Sequence, residues 1–435
     1  MQTLSKALMD SFARNEPSRA ITFFRNREKE TELSFGRLDQ ESGRLAGTLA
    51  GMGLQKGDRV VFNLPKSLFF VVAYLAVQRL GGVVVPINPE LTRSEKEYLF
   101  QDARPGLIIT KSEEQDLIRE IGPEYRQLAV DAERPFQDLP LVRNADKAPQ
   151  ALESAGAGPD DPALIIYTSG TTGLPKGAVL TQFNLLHDAQ NVIKTWEISA
   201  EDRLLHALPL FHVHGLCFAL NTCLLTGAGV VMLDRFSPET VLEFLAGRKK
   251  EKCTLFMAVP AMYQRLLSAL HEEKEAFEHV RLWTSGSAPL DPLLFERIRD
   301  GFGKTPLERE GMSETGMNFS NPLHGPRKPG SIGLPLPGVR VRIVDPERFI
   351  DQQPGRVGEI WLKSPSISPG YWNKPDETGR VFHQGWFRTG DLGFADQDGY
   401  YFLTDRLKHI IISGGENVSP KEVENRLNRI EGVLE

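Results

Sequence analysis

Tyr167-Thr168-Ser169-Gly170-Thr171-Thr172-Gly173-Leu174-Pro175-Lys176-Gly177 packs three glycines, three threonines, a serine and a lysine into eleven positions. The apolar run 162–166 precedes it and Ala178-Val179-Leu180 follows, so this stretch reads strand, polar loop, strand. Its glycines let the backbone approach an anion closely, its N–H groups and hydroxyls donate hydrogen bonds, and Lys176 adds positive charge. A polyphosphate is the natural ligand of such a loop, and a nucleotide is the expected partner. The loop is not a Walker A motif, which needs Gly immediately before its Lys and Ser or Thr immediately after; here Lys176 lies between Pro175 and Gly177. A surface loop that binds nothing is the plainer alternative. The density of donors between two strands argues for an anion nest instead.

Outward from this loop, short hydrophobic runs at 59–63, 83–87, 106–110, 163–167, 229–233, 254–258 and 281–284 alternate with helix-period segments such as 35–52, 237–248 and 261–271. Runs that are apolar throughout belong to strands covered on both faces, so the alternation predicts an α/β fold with mostly parallel sheets layered with helices. The most hydrophobic stretch, 68–87, is broken by Gln78, Arg79 and two glycines. It reads as a buried helix, 68–79, and a core strand, 82–87, with no stable membrane insertion. After Gly330 the pattern changes to short strands at 339–344, 358–362 and 399–404, with a hairpin signal at Asp398-Gly399. The expected organisation is an α/β core over 1–330, a β-rich subdomain over 331–404, and a new segment from 405 to 435. That last segment offers one strand and one helix, 420–430, too little to bury a core.

At 435 residues, with 40% hydrophobic and 25% charged residues, the chain has the composition of a globular protein of more than one domain. A net charge of −6 argues against a nucleic-acid partner. Cys217, Cys223 and Cys253 show no metal-ligand spacing and sit in apolar surroundings, as buried free thiols of a reducing, cytoplasmic protein would. The N-terminus has no signal-peptide layout.

The loop, with the motifs below, resembles the signature of the adenylate-forming superfamily: acyl-CoA synthetases, amino-acid adenylation domains and luciferases. The resemblance runs from Leu33 to the last residue. It implies ATP-dependent conversion of a carboxylic acid to an acyl-adenylate with release of pyrophosphate, then transfer of the acyl group to CoA, with Mg²⁺ as the metal. Thr168, Ser169, Gly170, Thr171, Thr172, Gly173 and Lys176 would then hold the phosphates. In Gly311-Met312-Ser313-Glu314-Thr315, Glu314 is implied as the Mg²⁺ ligand with Thr168 beside it, and Ser313 as a contact to the α-phosphate; a hard cation favours such a carboxylate with phosphate oxygens. Asp391, in Thr389-Gly390-Asp391, and Arg406 are implied as ribose ligands, a carboxylate being able to accept from both hydroxyls of a cis-diol. In Ser285-Gly286-Ser287-Ala288-Pro289-Leu290, Ser287, Ala288 and Pro289 would line the adenine, and Ser285 and Gly286 the acyl pocket, at the end of a strand. One departure stands out: family members usually carry a Tyr before the Glu314 motif to stack on adenine, and this chain has Glu310. A carboxylate cannot stack, which predicts weaker ATP binding or a base held elsewhere.

His212 and His214, two apart in Pro209-Leu210-Phe211-His212-Val213-His214-Gly215, would share a face on a strand, but no Asp or Glu is nearby to complete a metal site. The resemblance instead places His212 beside the reacting carboxylate. Malonyl-CoA synthetases resemble the chain at 206–221 and 313–318, which puts Met317 on the acyl side. They also place an Arg at the position of Arg265, where a second carboxylate would be held bidentately. Malonate or another small dicarboxylic acid is therefore the expected substrate; the alternatives are a medium- or long-chain fatty acid, or a catalytically impaired acyl-adenylate-binding relative. Lys408 matches the family's hinge, Gly414 and Gly415 the pantetheine tunnel. The stretch 405–435 matches the start of a C-terminal domain that carries a further lysine assisting adenylation, so the chain as given is expected to be impaired in that step. A monomer or homodimer is expected.

Overall fold

The computed structural model describes residues 2–143, 156–168, 174–271, 274–407, 411–413, 416–418, 423 and 427. Ser169, Gly170, Thr171, Thr172, Gly173, Lys408, Gly414 and Gly415, with nearly all of the expected helix 420–430, lie outside the described residues.

Two large, mostly parallel sheets carry the chain. In one, Arg203–His206 lies between Gly229–Leu233 and Leu255–Ala258; Leu282–Ser285 and Leu307–Met312 extend it in parallel. The other is built on Arg59–Asn63, parallel to both Val83–Pro86 and Leu107–Lys111, with Pro162–Thr168 parallel to Val83–Pro86. Continuous apolar strands and intervening helices thus give the α/β architecture read from the sequence. The helix Leu68–Arg79, every residue of which is buried, packs on the helix Phe35–Gly51 and on Val83–Pro86. Its polar end is satisfied: Gln78 Nε2 donates to the Ala163 carbonyl (2.9 Å) and Arg79 Nε to Ser42 Oγ (3.2 Å). The hydrophobicity that could suggest a span is therefore spent on protein packing, and no helix among the described residues is long and apolar enough to cross a membrane.

A third sheet, antiparallel, is formed by Arg340–Val344, Gly358–Lys363, Phe382–His383, Trp386–Ala395 and Tyr401–Arg406. Its last two strands are joined by a tight turn at Gly399, whose φ of +82° suits glycine. The segment around His212 differs from a strand: His214–Asn221 is π-helical. Gly215 permits that geometry, since a Cβ there would lie 2.0 Å from the Pro209 carbonyl oxygen. Cys217, Cys223 and Cys253 are free and buried.

Candidate active site

Three hairpins, one from each sheet, converge on a single cavity of about 1410 Å³. The first is Pro162–Thr168 with Lys176–Thr181, in which Thr168 pairs with Lys176 across the base of the glycine-rich loop. The second is Leu307–Met312 with Gly316–Ser320, which carries Ser313 and Glu314 at its tip. There Glu314 Oε1 accepts from Thr168 Oγ1 (3.3 Å) and from the Tyr371 hydroxyl (2.9 Å). The third is Trp386–Ala395 with Tyr401–Arg406, which places Asp391 opposite Arg406 in register; the two form an ion pair at 2.8 Å. Burial raises the Asp391 pKa, and Glu314 adds to the rise while Arg406 opposes it.

Lys176 is buried. Its ammonium pairs with the Glu377 carboxylate and lies 5.6 Å from the Tyr371 ring centroid. Both partners come from one short stretch: Gly370–Tyr371 adds to the edge of Lys176–Thr181, and Glu377 lies in the helix Pro375–Val381 that follows. Sequence reading passed over Tyr371 and Glu377, because a Tyr on a two-residue edge strand carries no motif.

Further along the cavity, His212 is open to it, its ring tilted 55° against that of Phe211 with centroids 4.5 Å apart, and desolvation lowers its pKa. Ser287 has a φ of +69°, uncommon for a residue with a Cβ, and its Oγ lies 3.2 Å from His214 Nδ1. Of the strip 285–290, Ser287 lines the cavity; Ser285, Gly286, Ala288 and Pro289 do not. Met317 is also set back, its side chain buried and its N–H donating to Asp188 Oδ1 (2.8 Å). Arg265 reaches the cavity wall from the helix Pro260–Ser268, exposed, with its guanidinium 4.9 Å above the Phe236 ring. Lys66, from the loop after Arg59–Asn63, lines the same cavity and donates to the His206 carbonyl (2.8 Å). Its only sequence signal is a Lys just past the end of a parallel strand, where sheets of this kind bind ligands.

Glu310 does not face the cavity. It accepts from Asn318 Nδ2 (3.1 Å), and burial together with the negative charge of Asp391 pushes its pKa up to about 8. Next to it Arg309 is buried under Gly286, stacked on Phe218 at 5.2 Å, with Nε and Nη2 lacking a hydrogen-bond partner among the described residues.

The donor set fits Mg²⁺. Among the described residues no three His, Cys, Asp or Glu side chains gather to cage a metal, so a cation at Glu314 would complete its shell with water and phosphate oxygens, as Mg²⁺ does. Lys176 at the base of the glycine-rich loop, Glu314 at the tip of the second hairpin and the Asp391–Arg406 pair across the strands of the third define a class: an enzyme that grips a nucleoside triphosphate with its metal and opens toward a second, smaller substrate.

Comparison with known proteins narrows the class. Residues 9–372 match the AMP-binding enzyme family. The chain is 37% identical over 427 residues to the mitochondrial malonate–CoA ligase of Mus musculus, covering 90% of this chain and 71% of that protein. It is 37% identical over 413 residues to the sulfoacetate–CoA ligase of Cupriavidus necator, covering 93% and 78%. The crystal structure of ATP-bound MatB from Rhodopseudomonas palustris superposes with a TM-score of 0.91 at 36% identity, covering 100% of this chain and 84% of that one. The chain belongs to the AMP-binding enzyme family. It is an ATP-dependent, AMP-forming acid–CoA ligase that uses ATP, Mg²⁺ and CoA.

Proposed function

We propose that the acid is a small one carrying a second anionic group, with malonate the leading candidate. The observation that carries this reading is Arg265, placed on the wall of the cavity that also holds His212 and Ser287. A site with a cation at its far end discriminates by charge, which separates acids more sharply than pocket volume does. Relatives acting, by name, on malonate and sulfoacetate support the choice.

In this reading the acid's carboxylate oxygen attacks the α-phosphorus of ATP, the bond to pyrophosphate breaks, and CoA then displaces AMP from the acyl-adenylate. Lys176, with the loop residues Ser169 to Gly173, neutralises the phosphates; Glu314, supported by Thr168, holds Mg²⁺; Ser313 meets the α-phosphate. Asp391 and Arg406 hold the ribose, Ser287 borders the base, and neutral His212 sits beside the reacting carboxylate. Residues 331–404 act as a subdomain that delivers Asp391, and the segment from 405, with Lys408 as hinge, admits CoA past Gly414 and Gly415. The protein acts as a monomer or a homodimer, and three buried thiols suit a reducing cytoplasm. The test is CoA-dependent AMP release with malonate, methylmalonate, butyrate and octanoate. Malonate should lead; equal or better turnover of butyrate would sink the reading.

A further inference from the structure

We propose that Lys66 is a specificity-determining residue whose ammonium receives the distal anionic group of the acid; the inference rests on the reading of that acid as small and doubly anionic.

Lys66 belongs to the second sheet, yet its side chain works at the first. The loop 64–67 joins Arg59–Asn63 to the buried helix Leu68–Arg79, whose first turn is capped by Ser67 Oγ accepting from the Phe70 N–H (3.2 Å). A loop fixed at both ends by buried elements holds its side chain in place. From there Lys66 crosses to the carboxyl end of Arg203–His206 and gives one hydrogen bond to the His206 carbonyl. The neighbouring parallel strand ends complete the surroundings. Asp234, Arg235 and Phe236 follow Gly229–Leu233, and Arg265 follows Leu255–Ala258 by way of its helix. Carboxyl ends of parallel strands are where α/β sheets leave room for ligands.

An ammonium has three donors, and Lys66 uses one on a neutral carbonyl. Among the described residues no carboxylate lies within 4.0 Å of it. Burial holds its pKa well below the ordinary lysine value, and the more distant Asp234 offsets part of that. A poorly solvated cation without a paired anion is costly to keep, and an anion arriving in the cavity both pairs with it and takes its remaining hydrogen bonds. A carboxylate or a sulfonate meets that requirement; an alkyl chain end does not, and would leave the cation buried against hydrocarbon. Arg265, exposed over Phe236, then stands at the rim of the same subsite while Lys66 stands inside it.

The experiment compares wild type, Lys66→Met and Lys66→Arg in the full-length protein, by pyrophosphate release at saturating ATP and CoA, with malonate, sulfoacetate and butyrate. Lys66→Met is expected to lower kcat/KM for malonate and sulfoacetate by about 30-fold, mostly through KM, and to change butyrate by less than about threefold. Lys66→Arg, which keeps the charge, should restore most of the malonate activity. A parallel loss on all three acids would assign Lys66 to strapping the two sheets together and overturn the inference. So would a Lys66→Met enzyme that keeps wild-type preference for malonate over butyrate, and that result would leave the substrate reading intact. A wild type that turns over butyrate as well as malonate would overturn the substrate reading and this inference with it.

Discussion

The nucleotide wall and the acyl wall of the cavity handle charge in opposite ways. On the nucleotide wall each key charged side chain already has a partner: Lys176 has Glu377, Glu314 has Thr168 and Tyr371, and Asp391 has Arg406. On the acyl wall, among the described residues, Lys66 hydrogen-bonds a carbonyl and Arg265 lies over an aromatic face; Asp234 and Glu239 act on them as longer-range charges, and neither cation has an ion pair within 4.0 Å. A wall whose charges are paired binds by exchanging partners, so its selectivity comes from how many of those exchanges a ligand can make at once. A wall with spare charge binds by acquiring a partner, and its selectivity comes from the sign of the incoming group.

The greatest loss is expected at Glu314. If its carboxylate serves the metal, Glu314→Gln should lower the adenylation rate by roughly 1000-fold while the protein stays folded, in single-turnover pyrophosphate release. A loss under about threefold would mean that the residue only ties two hairpins together. Glu310→Tyr should have the next largest effect. The present carboxylate turns away from the cavity to Asn318, whereas a Tyr ring lying alongside Gly311, which lines the cavity, would offer the base an aromatic face; the KM for ATP should then fall by about tenfold with malonate KM unchanged. A change in malonate KM instead would place Glu310 on the acyl side. Smallest is a pH effect. Burial raises Glu310 to about 8 and Asp188 to about 7, so the folded chain keeps protons that the unfolded chain has released. The stability from this source is full at acidic pH and declines as pH climbs from the ordinary carboxylate range toward 8. Thermal unfolding followed at pH 5.5 and 8.5 should show a fall in Tm that is smaller in Glu310→Gln by on the order of 2 °C. An identical fall in both proteins would show that Glu310 carries no excess proton.

The nucleotide wall was legible in the sequence because each part of it is contiguous. The loop 167–177 and Ser313-Glu314 each sit on one hairpin tip, and Thr389-Gly390-Asp391 lies within one strand of a third, so a short window contains the local geometry and most of the chemistry. The alternation of apolar runs and helices gave the parallel sheets for the same reason, and the all-buried helix Leu68–Arg79 followed from its unbroken hydrophobicity. What the sequence could not display is assembly across elements. Lys66, Tyr371 and Glu377 act through neighbours 140, 57 and 201 positions away, and no local pattern announces such a meeting. The strip 285–290 shows the converse limit. Its residues were identifiable as a strand end, but which of them would face the cavity depended on the positive φ of Ser287.

The clasp between Lys176 and Glu377 has a consequence for traffic through the site. A carboxylate occupies the lysine until something better displaces it, so a stray phosphate or chloride gains little by entering: it must evict an anion already in place, with one charge or two to offer. A metal-bound triphosphate arrives with many contacts at once and releases Glu377 toward Arg380, which already pairs with it. Glu377 thus guards the entrance with a carboxylate that mimics the guest, and in a cell crowded with small anions that lock turns only for the key with enough teeth.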